Sequence, residues 1–244
     1  MGKGILILGD SGTGKTYSAR NFQPDEALII QGYDKFLPFK APVGFRRLPL
    51  SVNQQDNEQR QIGFTAQYDM LKKYLEVLPK SEKPIHENYP NKKVKDINTY
   101  IIDDSQFLMS FEQVFTATKG YDKYTDIAKK FLQIVVDSIN RLPPNKIVYF
   151  LHHTEKQFNN DAMFEKAKTV GKMIDNFITL EALFTIVLKA KKNQSGKHVF
   201  ATVTNGYDTV KCPPGIFDEE EIPNDLKLVD TKIREFLKEE LERN

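Results

Sequence analysis

Residues 9–16 restrict what this chain can fold into more than any other stretch. Gly9, Asp10, Ser11, Gly12, Thr13, Gly14, Lys15 and Thr16 form the pattern G-x-x-x-x-G-K-[ST], directly behind the apolar run Ile5, Leu6, Ile7 and Leu8. A short aliphatic run without polar alternation predicts a strand buried on both faces, and the residues after the loop predict a helix to about Phe22. In the order strand, glycine turn, helix, successive backbone N–H groups turn inward and cradle a phosphate, helped by the helix N-terminus. Lys15 at its position reaches the β- and γ-phosphates, and the Thr16 hydroxyl ligates Mg²⁺. All eight residues are therefore candidate nucleotide contacts, with Lys15 also a catalytic one.

The rest of the chain alternates short apolar runs with longer amphipathic ones, which predicts an α/β fold: a mostly parallel sheet flanked by helices. Strands are expected at 4–8, 27–30, 99–103 and 146–151. Helices are expected at 64–78, where Phe64, Gln67, Leu71, Leu75 and Leu78 keep helical spacing, at 106–118 and at 125–142. Runs 183–188 and 198–203 flank the turn Asn193-Gln-Ser-Gly196 and predict an antiparallel hairpin at the sheet edge. Segments 51–61 and 80–98, the latter with five Lys, three acids and two Pro, read as solvated insertions. The division expected is an α/β domain over 1–217 and an acidic tail over 218–244 with a short helix, whose Val229, Ile233, Phe236 and Leu237 share one face.

Composition narrows the class further. One cysteine among 244 residues excludes a disulfide scaffold and a zinc site built on cysteines. No run approaches the roughly 18 apolar residues of a membrane span, and residues 5–8 are too short for a signal peptide, so a soluble cytoplasmic protein without membrane contact is expected. The net charge of +2 hides an asymmetry: 10 acidic and 5 basic residues fall in 218–244, leaving 30 basic and 23 acidic in the body. A basic body suits a nucleic-acid partner and many ordinary proteins alike.

A phosphate loop needs an acid at the end of another buried strand, and Tyr100-Ile-Ile-Asp103-Asp104 supplies two. Asp103 is the candidate Mg²⁺ ligand. Asp104 stands where a water-activating carboxylate sits, and Asp104-Ser105 would also serve as an N-cap for the helix near Gln106. ATP is favoured over GTP, because neither Asn91-Lys-Lys-Val nor Asn145-Lys-Ile-Val carries the Asp of a guanine-reading loop.

Together with residues 34–39, 101–106, 119–124, 168–172 and 205–211, the loop resembles the RecA-like ATPases encoded by bacteriophages, including their single-strand-annealing recombinases. The resemblance implies a RecA-like core, with one strand between the phosphate-loop strand and the Asp103 strand. It further implies ATP- and Mg²⁺-dependent work on single-stranded DNA in a ring or filament of identical subunits, in the host cytoplasm and beside a phage or host single-strand-binding protein. If 146–151 is the intervening strand, one of His152 and His153 faces the γ-phosphate; His153 is the candidate sensor. The family's catalytic carboxylate commonly follows the second strand. No Glu stands there, which leaves Asp34 beside Asp104 as a candidate base.

The two DNA-gripping loops of the family correspond to 118–124, with Lys119, Tyr121, Lys123 and Tyr124, and to 155–174, with Lys168 and Lys172. Interleaved Lys and Tyr suit phosphates and stacked bases; a helix turn and an amphipathic helix are the plain structural readings of the same stretches. Lys211 corresponds to a position that reaches a neighbour's nucleotide site. A helicase or helicase loader shares these features. A nucleoside or nucleotide kinase and a non-hydrolysing nucleotide switch remain open on the loop alone, although 155–174 lacks the Arg of a kinase lid.

Overall fold

The chain was analysed as a computed structural model, which describes residues 2–50, 57–115, 122–159, 162–170 and 178–243. Its centre is an eight-stranded sheet in the order β10-β9-β8-β1-β5-β4-β2-β3. The strands are β1 (Lys3–Leu8), β2 (Ala27–Gln31), β3 (Arg46–Pro49), β4 (Thr99–Asp103), β5 (Ile147–His152), β8 (Ile186–Lys192), β9 (His198–Ala201) and β10 (Glu221–Pro223). All neighbours from β8 to β3 run parallel; β9 and β10 add antiparallel pairings at one side. A separate two-stranded hairpin, β6 (Thr154–Asn159) and β7 (Ala162–Ala167), leaves the end of β5.

The aliphatic runs fill both faces. Leu6, Leu8, Leu28, Ile30, Ile102 and Phe150 pack under three helices, α1 (Asn57–Val77), α2 (Gln106–Phe115) and α3 (Asp122–Asn140). Ile5, Ile7, Ile29, Ile101, Tyr149 and Leu151 alternate with them and face α4 (Leu226–Arg243) through Leu226, Val229 and Ile233. Burial on both sides is why these strands lack polar alternation. Strand β5 lies between β1 and β4, so the ends of β1, β5, β4 and β2 open at one edge of the sheet, where ligands of parallel α/β sheets bind.

Several expectations are corrected. The helix expected after the glycine loop to about Phe22 is present as a 3-10 helix, Thr16–Asn21, capped by Phe22. Helix α1 begins at Asn57, so the second half of the presumed loop 51–61 is helical, while 51–56 lie outside the described residues. Segment 80–98 is not a solvated insertion: Ile85, Val94 and Ile97 are buried in the core, and irregular chain can anchor through such single residues without periodicity. Strand β3 was hidden by Arg46, Arg47 and Pro49, a composition suited to an edge. Where an amphipathic helix is the plain reading of 155–174, residues 155–159 and 162–167 form strands of the β6–β7 hairpin, pairing Glu155 with Lys166 and Lys156 with Glu165, and 171–174 lie outside the described residues. The predicted hairpin of β8 and β9 is present, but β10 covers its outer side.

The acidic segment joins the core as its spacing required, with a helix of 18 residues. Asp230 of α4 accepts from the buried Tyr149 hydroxyl at 3.0 Å and from Thr99 at 3.1 Å, and Arg234 donates to it at 2.8 Å. Among the described residues, no helix is long and apolar enough to cross a membrane. Because Ile233 is buried against the sheet, Ile233→Ala should cost about 2–5 kcal/mol in urea unfolding. A cost well under about 1 kcal/mol would show that α4 rests on the sheet without completing it.

Candidate functional site

The loop after β1 turns sharply because its glycines permit it. A Cβ on Gly9 would stand 2.6 Å from the Ala190 carbonyl oxygen. Gly14 has φ of +91°, and a Cβ there would meet His198 and Asn224 at 3.1 Å. Lys15 folds over the loop, donating to the carbonyls of Gly9 at 2.6 Å and Asp10 at 2.9 Å. Burial pulls its pKa down to about 8 against the pull of Asp104 and Asp103 in the other direction. Thr13 closes the turn on the Asp10 carbonyl at 2.8 Å.

Strand β4 brings its terminal acid to the same place. The Thr16 hydroxyl donates to Asp103 Oδ1 at 2.8 Å, joining residues 87 positions apart. The second oxygen, Oδ2, is buried and has no hydrogen-bond partner. Burial, with the charge of Asp104 second, raises the Asp103 pKa. A buried carboxylate oxygen left without a partner is costly unless a cation or donor meets it. The donor set of one carboxylate and one hydroxyl suits Mg²⁺, which binds through few protein oxygens.

Asp104 has φ of +54°, an uncommon value outside glycine. Its carbonyl accepts from Phe107 N at the start of α2, so the carboxylate does not serve as the N-cap. That carboxylate instead meets His153 Nε2 at 3.3 Å and the Lys35 ammonium. Burial alone would raise its pKa, but the hydrogen bonds from His153 and Lys35 outweigh burial and hold it at about 2. Ser11, Gly12, Gly14, Lys15, Thr16, Asp104 and His153 line one cleft of about 370 Å³, joined by Tyr17, Lys35, Phe36, Pro38 and His198.

The two histidines separate as strand geometry requires. His153 faces the cleft. His152 is buried, donating from Nε2 to the Lys168 carbonyl at 2.8 Å and accepting the Ser105 hydroxyl at Nδ1, also at 2.8 Å. Thr154 begins the hairpin and donates to Asp10 Oδ1 at 2.6 Å, tying β6 to the glycine loop.

Other sequence candidates lie elsewhere. Asp34 is half exposed and ion-paired with Arg47, and it does not line the cleft. Lys123 donates to the Gln113 carbonyl at 2.6 Å, and Tyr124 packs against the core. Lys168 is exposed beyond the hairpin, and Lys211 is exposed beside β8 with its backbone bridged to Val187. Lys119, Tyr121 and Lys172 lie outside the described residues. Sequence reasoning passed over Lys35 and His198. The end of β2 was a signal for Lys35, because ligand groups of such sheets follow strand ends; His198, on the antiparallel β9, had none.

This is a mixed α/β protein with a mostly parallel sheet flanked by helices, compatible with a Rossmann-like or P-loop-like fold. No protein-family model matches the chain, and no curated protein shows significant similarity to it.

Burial drives the pKa of His152 from 6.5 down to about 4, and its bond to the Lys168 carbonyl offsets this only in part. The folded state therefore takes up the proton later than the unfolded chain as pH falls. The stability tied to neutral His152 is complete above about pH 6.5 and is lost toward pH 4. Between those limits the wild type should lose about 1.4 kcal/mol per pH unit relative to His152→Gln in urea unfolding. A difference that stays constant through the window would remove His152 as the group responsible.

Proposed function

We propose that this protein binds ATP with Mg²⁺ in the cleft around residues 9–16 and hydrolyses it, as a RecA-like ATPase that acts on single-stranded DNA. The observation that carries the reading is the Thr16–Asp103 contact, with a buried, unpartnered carboxylate oxygen beside it and Lys15 on the same loop. The position of β5 between β1 and β4 supports the RecA-like assignment.

In this reading the loop amides and Lys15 hold the phosphates and neutralise charge that develops during transfer. Thr16 and Asp103 hold Mg²⁺, which when bound supplies Lewis-acid polarisation of the phosphoryl oxygens. Asp104, oriented by His153, accepts a hydrogen bond from the attacking water and positions it. With so low a pKa its contribution is orientation more than basicity. Asp34 is the weaker candidate because Arg47 holds it outside the cleft.

Lys15→Ala should abolish phosphate release while the fold survives, and Asp103→Asn should weaken the Mg²⁺ dependence of ATP binding. Wild-type hydrolysis by the Lys15 variant would end the assignment. Asp104→Asn should slow turnover by about 10²–10⁴, more than Asp34→Asn. The reverse ranking would move the water-positioning role to Asp34.

For DNA, the supporting features are the basic body, Lys119 and Tyr121 in the sequence, exposed Lys168, and the hairpin rooted beside the cleft through Thr154 and Asp10. Phe158 on β6 is 80% exposed and suited to stack a base. A ring or filament, with Lys211 reaching a neighbour, completes the proposal. Replacing Lys119 and Lys123 together should weaken binding of a labelled oligonucleotide and flatten its salt dependence by about 0.7 log units per lost phosphate contact. No binding at low salt with ATP and Mg²⁺ present would remove DNA from the reading.

A further inference from the structure

Lys35 follows β2 and lines the cleft, where its ammonium meets Asp104. Its backbone is firmly held: the Lys35 carbonyl accepts from Gln31 Nε2 at 3.3 Å and from Arg47 Nη1 at 3.2 Å. The same Arg47 nitrogen donates to Gln31 Oε1 at 2.9 Å and pairs with Asp34. Gly32 N donates to the Asp103 carbonyl at 2.9 Å, and a Cβ on Gly32 would lie 2.8 Å from the Asp104 carbonyl oxygen. The β2 loop thus presses directly on the Asp103–Asp104 corner. The Lys35 side chain is 38% exposed, whereas its partner Asp104 is 4% exposed.

We infer that Lys35 is a second phosphate-binding lysine of this cleft, supplied by the same chain, which rests on Asp104 and exchanges that carboxylate for a γ-phosphoryl group. The inference rests on the nucleotide-site reading above and adds the group that tells a triphosphate from a diphosphate. Lys15 is engaged with the loop carbonyls; Lys35 lines the same cleft, close enough that its charge contributes to the lowered proton affinity of Lys15. Two ammonium groups lining one cleft match a polyphosphate whose terminal group carries the extra charge. When Lys35 leaves, the buried Asp104 carboxylate keeps His153 as its partner, and the contact of the ammonium with the phosphate offsets the pair that is lost. The phosphate contact would also free the Asp104 oxygen that Lys35 occupies, so that it faces water only when a triphosphate is present.

The test is fluorescence titration of the full chain with mant-labelled ADP and AMP-PNP, each with Mg²⁺. Lys35→Met should lose about tenfold or more in AMP-PNP affinity with ADP affinity unchanged. Lys35→Arg should keep most of the preference. Asp104→Asn should tighten AMP-PNP binding by releasing Lys35, and that gain should vanish in the Lys35→Met background. The Arg and Asn variants keep the test decisive if the Met variant folds poorly. Equal losses for both nucleotides, or an Asp104→Asn gain that survives without Lys35, would overturn the inference and leave the nucleotide site standing. A wild type that binds neither nucleotide would overturn the site reading and this inference together.

Discussion

Strand β1 is parallel to β5 on one side and β8 on the other, with both faces covered, and the remaining arrangement depends on that placement. Registering Leu8 with His152 and Lys189 brings the ends of β1 and β5 to one level, beside the middle of β8. The glycine loop must then turn immediately, because the Ala190 carbonyl stands 2.6 Å from where a Gly9 side chain would begin. Strand β4, paired to β5, delivers Asp103 to within 2.8 Å of Thr16. The loop is thereby tied to the sheet by a side-chain bond as well as by the chain itself.

The electrostatics of the cleft follow from crowding charges where water is scarce. Asp103 and Asp104 are adjacent and buried, so each makes ionisation of its neighbour harder. The protein settles them differently. Asp104 receives His153 and Lys35 and is held ionised, while Asp103 receives the Thr16 hydroxyl at Oδ1, has the Gln31 amide beside it, and keeps Oδ2 without a hydrogen bond of good geometry. That asymmetry separates a carboxylate suited to a metal ion from one suited to orienting a water molecule.

The hairpin is joined to the same corner at both its ends. Thr154 bonds Asp10 of the loop, and His152 holds the Lys168 carbonyl where the hairpin returns. Lys189, at the level of Leu8, pairs with Glu165 at 2.6 Å and Asp208 at 3.3 Å. Displacement of the loop would therefore be felt in β6 and β7, a physical route between the cleft and the surface on which Phe158 is exposed.

Legible in the chain alone were the mostly parallel sheet, the glycine loop with Lys15 and Thr16, the strand ends that carry Asp103 and lead to His153, and the docking face of α4. These are local patterns: uninterrupted aliphatic runs, a glycine turn and a helical spacing each state their own burial. Tertiary structure alone decided the rest. Strand β3 exists because β2 offers an open edge, not because Arg46 and Pro49 favour extension. The polar hairpin forms because Glu155 and Lys156 find partners across it, which neither strand could announce alone. Asp34 and Lys35 are neighbours in the chain, yet Arg47 draws the first away from the cleft while Asp104 draws the second in. Charges choose partners by distance through space, and no spacing along the chain encodes that distance.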